Sequence, residues 1–81
     1  MKAIVTVGLK SGVLDVQGKA VASALRDLGF GKVADARVGK RIELELEDGL
    51  DPAVAEAQVK DMCEKLLANT VIESYSVEIA R

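Results

Sequence analysis

Histidine and tryptophan are absent from this 81-residue chain, and cysteine and proline occur once each. Without histidine the commonest general base and the commonest metal ligand are both missing, and the single Cys63 cannot close an internal disulfide. No catalytic, cofactor or metal site is therefore expected in the chain itself. Phe30 and Tyr75 are the only aromatics, too few for a platform on which nucleic-acid bases stack. Neither sign of charge dominates: the net charge is −2, with both signs interspersed, so no broad basic field exists to attract nucleic acid or anionic lipid. Long apolar runs are lacking too. The N-terminal stretch Met1-Lys2-Ala3-Ile4-Val5-Thr6-Val7-Gly8 is broken by Thr6 and Gly8 before it reaches the length of a signal-peptide core or a membrane span, and the chain reads as cytoplasmic.

What is present is one small domain, residues 1–81, and a chain of this length buries only roughly 60 to 65% of its unfolded surface. With no disulfide or metal to staple it, self-association is the expected source of the missing burial.

The most regular stretch is Ile42-Glu43-Leu44-Glu45-Leu46-Glu47. Its strict alternation is the two-residue period of a strand with one dry and one wet face, and a one-residue slip would bury carboxylates. It is read as the core strand. Lys2 to Leu9 alternates more weakly, with Ala3, Val5, Val7 and Leu9 on one face. Asp15 is a suitable N-cap for a helix from about Val16 to Leu28, whose Val21, Ala24, Leu25 and Leu28 form a stripe to pack on a sheet. Gly18 and Ala22 are small enough for close approach, and Gly29 suits the left-handed stop with Phe30 folding back on Leu25.

Lys32 to Val38 is extended in character. A Gly39-Lys40 type II′ turn would join it to the next strand as a hairpin, the reading favoured by the clean restart of alternation at Ile42; a glycine bulge in one long bent strand is the alternative. Asp51-Pro52 starts a second helix running to about Ala68, with Ala55, Val59, Met62 and Leu66 on one face and Cys63 and Leu67 flanking it. Asn69 caps it, and Val71 to Ala80 is a last strand carrying Tyr75, Val77 and Ile79 on one side. The order β-α-β-β-α-β predicts an α+β, two-layer, ferredoxin-like sandwich with two helices on one face of an antiparallel sheet.

Arg37, Lys40 and Arg41 around Gly39 form a cationic corner for a phosphate or a partner's carboxylate, unless they are simply a solvated turn. Lys10-Ser11-Gly12 lacks the Walker pattern. Cys63 reads as a small buried hydrophobe, and Glu43, Glu45 and Glu47 as a solvent face or a surface for a partner's basic residues rather than a cation site. A metal chaperone would need Cys-x-x-Cys after the first strand, which Gly8 to Asp15 lacks. A stand-alone ferredoxin-like module binding a small regulatory ligand is the alternative reading.

Three separated stretches carry a family resemblance: Leu9-Lys10-Ser11-Gly12-Val13-Leu14-Asp15-Val16-Gln17-Gly18, Arg37-Val38-Gly39-Lys40-Arg41-Ile42-Glu43-Leu44, and Cys63-Glu64-Lys65-Leu66-Leu67-Ala68-Asn69-Thr70-Val71-Ile72-Glu73. In this order and at this total length the chain resembles the PurS family, small subunits of phosphoribosylformylglycinamidine (FGAM) synthase in purine biosynthesis. The family often has proline at the positions of Val16 and Thr70, both helix boundaries where it is dispensable. The resemblance implies a subunit without an active site of its own, in an ATP-dependent carbon-nitrogen ligase complex. A PurL-type synthetase subunit would use ATP and magnesium to convert formylglycinamide ribonucleotide, a PurQ-type glutaminase subunit would release ammonia, and this chain would bridge them and assist ammonia transfer. It also implies pairing with itself, as a homodimer or a dimer of dimers. Gln17, Arg37, Gly39 and Lys40 are the residues then expected to dock partners.

Overall fold

A computed structural model describes residues 1–80 and gives the order β1 (Lys2–Leu9), α1 (Val16–Asp27), β2 (Lys40–Glu45), α2 (Pro52–Met62) and β3 (Glu73–Ala80). The strands form one antiparallel sheet in the order β2-β1-β3. This is the expected α+β, ferredoxin-like arrangement of a sheet and two helices.

The core follows from the alternation in β1. Ala3, Val5 and Val7 are buried on one face, in one cluster with Val59, Cys63 and Ala68 of α2 and the chain that continues it. Full burial of a valine side chain contributes about 1.5 to 3 kcal/mol, so Val5, Val7 and Val59 form the densest part of the hydrophobic stabilisation. Ile42, Leu44 and Leu46 point to the same side and are half-buried, while Glu43, Glu45 and Glu47 are exposed, as the period of two requires. β1 rather than β2 is the central strand, however. It is the one strand paired on both sides, and Val5 lies between Ile42 and Val77.

Both helix starts are capped as the sequence suggests. Asp15 accepts from the Gly18 amide at 2.7 Å, and Asp51 accepts from the Ala53 amide at 2.9 Å with Pro52 in the first turn. Gly29 takes φ 103° and ends α1, with the Phe30 amide bonding back to the Leu25 carbonyl. After Met62 the second helix widens into a π-helical turn, Cys63–Leu67, closed by the Ala68 amide on the Cys63 carbonyl. That turn leaves Leu66, expected on the apolar face, 84% exposed.

The segment 32–38 does not form a strand, and Gly39-Lys40 is not a hairpin turn. Its backbone groups are engaged elsewhere. The carbonyls of Val33 and Ala34 accept from the Arg26 guanidinium, and the Val38 amide donates to Asp15. The segment therefore returns along α1, where Gly18 and Ala22 are the only buried helix residues. The stripe expected to pack on the sheet is largely in solvent: Val21 is 40% exposed and Leu28 74%. Helix and returning segment prolong the molecule past the end of the sheet, giving extents of 50 × 26 × 14 Å. The Cα radius of gyration is 16.1 Å, against roughly 12 Å for a compact chain of this length.

Candidate docking site at the base of the helical arm

Where the arm leaves the sheet, one carboxylate holds two chain segments together. Asp15 is 4% exposed; one oxygen caps α1 at the Gly18 amide and the other accepts from the Val38 amide at 2.8 Å. These bonds, that to Val38 first, hold its carboxyl below the ordinary carboxylate range, and the nearby Arg37 guanidinium adds to the effect. Arg37 is itself a brace. Its guanidinium donates to the carbonyls of Leu9 and Lys10 at 3.1 Å each and of Val13 at 3.3 Å, closing the loop between β1 and α1.

Glycine is required at two contacts here. A Cβ on Gly18 would stand 2.2 Å from the Ala36 carbonyl oxygen, and one on Gly39 would stand 2.5 Å from that of Val7. Both oxygens belong to backbone, so neither can swing aside as a side chain would.

Of the four residues expected to dock partners, Gln17, Gly39 and Lys40 line a single open cleft of about 400 Å³, together with Leu14, Val16 and Glu73 among others. Arg37 borders a neighbouring cleft beside Ser11 and Lys19, and its charge is largely spent on the three carbonyls. Arg37 and Lys40 thus line different clefts, while Arg41 pairs with Glu43. Sequence reasoning missed Leu14 and Val16, 63% and 71% exposed beside Gln17. Their signal was two apolar residues flanking a capping aspartate outside the helical stripe.

Cys63 is buried, and burial pushes its thiol up, with Glu64 adding to the effect. Arg41 and Lys2 pair with Glu43, and both lower its pKa, the Arg41 hydrogen bond most. No cluster of histidine, cysteine and carboxylates suited to a metal ion occurs among the described residues. No described helix is long and apolar enough to cross a membrane. What the site offers is shape, exposed apolar surface and a few charges on a braced scaffold, features that suit recognition.

Known proteins share this architecture. The family model PurS, described as phosphoribosylformylglycinamidine (FGAM) synthase, matches residues 2–81. The FGAM synthase subunit PurS of Bacillus subtilis is 49% identical over 78 residues, 96% of this chain and 90% of that protein. The crystal structure of Methanocaldococcus jannaschii PurS superposes with a TM-score of 0.90 at 36% identity, covering 99% of this chain and 95% of that one. A chain of the PurLQS structure from Thermotoga maritima superposes with a TM-score of 0.85 at 36% identity, over 95% of this chain and 93% of that one. With the family model matched along nearly its whole length, the chain belongs to the PurS family of FGAM synthase subunits.

Proposed function

We propose that this chain is the docking subunit that couples the two catalytic halves of its complex. As a PurS subunit it belongs to FGAM synthase and to purine biosynthesis. Beyond that, it bridges a PurQ-type glutaminase and a PurL-type synthetase, assists passage of ammonia between them, binds neither ATP nor magnesium itself, and works in the cytoplasm as a homodimer or dimer of dimers. Free ammonia is protonated in bulk water and then no longer attacks, so two active centres that share it gain from being held in a closed assembly.

The observation that carries this reading is the helical arm. Its base is fixed by Asp15, Arg37 and two close glycine contacts, yet its apolar side chains are left uncovered. A rigid projection with exposed Val16, Val21 and Leu28 is costly for a solitary protein and useful to one that is received by larger neighbours. The relative within the T. maritima PurLQS structure supports the same direction. The cleft formed by Gln17, Gly39 and Lys40 is the proposed contact for one partner, with Arg37 acting through the loop it braces.

Reconstitution tests the proposal. Synthetase and glutaminase are assayed with and without the chain, supplying either glutamine or ammonium as nitrogen source. Loss of glutamine-driven turnover alone on omitting the chain is the expected result. Equal turnover from both sources in its absence would reject the coupling role.

A further inference from the structure

The direction of the helical arm is not set by packing along its length. Among the described residues no strand or second helix packs along α1, and only Gly18 and Ala22 of the helix are buried. What accompanies the helix is the returning segment. Arg26 ties the two together through the carbonyls of Val33 and Ala34, and they meet again at Gly18, whose missing side chain leaves room for the Ala36 carbonyl. Helix and returning segment therefore make one body, joined to the sheet by the loop after β1 and by Val38-Gly39 before β2.

Two side chains cross between these connections. Arg37 is exposed, and water competes for its bonds to the loop carbonyls. Asp15 is buried, and its charged carboxylate takes the Gly18 amide on one oxygen and the Val38 amide on the other. The 12 residues of α1 extend roughly 18 Å beyond this tie. A tilt of roughly 10° at the base would carry the far end by roughly 3 Å. Misplacement by about 1 Å can cost a reaction about 100-fold in rate.

We propose that Asp15 is a positioning residue for the coupled reaction: by tying the first turn of α1 to Val38 it aims the arm, and that aim decides how much of the ammonia released by the glutaminase reaches the synthetase. Asp15→Asn separates this role from helix formation. Asparagine caps helices as well as aspartate does, but an oxygen kept at the Gly18 amide turns an NH₂ group toward the Val38 amide, which then loses its acceptor.

The inference rests on the reading of the chain as a coupling subunit. Rising amounts of parent or variant chain are added to synthetase and glutaminase supplied with glutamine, and FGAM and glutamate are followed together. Circular dichroism checks folding, and ammonium-driven turnover counts the active synthetase in each mixture. At saturating Asp15→Asn, FGAM formation is expected to level off about tenfold below the parent, with glutamate released in excess of FGAM as ammonia escapes to water. A variant that merely folded or bound less well would reach the parent plateau at higher concentration, with the parent ratio of glutamate to FGAM. That result, or parent-like behaviour throughout, would overturn the proposal.

Asp15→Ser, whose hydroxyl caps the helix without a second oxygen for Val38, is expected to behave as Asp15→Asn does and decides the matter if that variant does not fold. Loss of the fold in both would also overturn the proposal, since Asp15 would then hold up the domain rather than aim the arm. A parent chain that fails to couple rejects the coupling role and this inference with it. A coupling parent matched by its variants rejects this inference alone.

Discussion

Gly18→Ala sets two opposing effects against each other at the base of the arm. Helix propensity alone favours alanine over glycine by about 1 kcal/mol, which would make the variant more stable. The added methyl would lie 2.2 Å from the Ala36 carbonyl oxygen and 2.8 Å from the Asp15 carboxylate. Ordinary contact begins near 3.4 Å, so a backbone segment must retreat by more than an ångström. Overpacking of this kind costs about 1 to 3 kcal/mol, and the unyielding carbonyl places it at the upper end. The net loss is about 2 kcal/mol, which for a domain of this size lowers Tm by roughly 10 °C. Segment 33–38 is expected to lift off α1, so the Val38 amide, now bonded to Asp15, should exchange faster with deuterium than in the parent. Thermal unfolding at matched concentration and hydrogen exchange read both effects. A Tm equal to or above that of the parent would refute the argument, because propensity would then have won.

Other outcomes follow from the same structure. Val59→Ala removes two methyl groups from a site that is fully buried, and should lower stability by about 1.5 to 3 kcal/mol in urea unfolding. Because Asp15 has a lowered pKa when folded, its contribution is complete above the unfolded value, about 4, and falls away as pH drops below it toward the folded value. Stability curves should therefore lose their acid-side decline in part when Asp15→Asn is introduced, and that variant, which turns an NH₂ donor toward one of two backbone amides, should be less stable at neutral pH. Lys40→Glu should weaken capture of a catalytic partner while shifting stability by no more than about 0.5 kcal/mol, whereas Arg37→Glu should also lower Tm because three carbonyls lose their donor. The raised, buried thiol of Cys63 should resist alkylation in the folded protein and react once urea unfolds it.

The order of elements, both N-caps, the glycine stop at Gly29 and the inward faces of β1 and β2 were legible in the sequence, because each depends on neighbours within a few residues. The route of 32–38 was not. Its fate rests on the Asp15 and Arg26 side chains reaching in from other parts of the chain and on its own Arg37 reaching out to the loop after β1, and bonds of this kind leave no local periodicity. For the same reason the strongest alternation, in β2, was mistaken for the centre of the sheet. A regular wet-and-dry pattern describes how a strand faces water, and it is silent on how many neighbours the strand has. Within the site, Gln17, Gly39 and Lys40 line one cleft and Arg37 braces the loop between β1 and α1, a placement that local sequence pattern does not encode.

The double pairing of β1 has a consequence for how the chain is made. Val5 cannot meet Val77 until the chain has been made through Val77, which at ordinary synthesis rates is a delay of roughly 4 to 15 s. Throughout that interval the first strand, rich in valine, is available to any nascent neighbour on the same messenger. Two copies emerging side by side therefore have a window for meeting before either has completed its sheet.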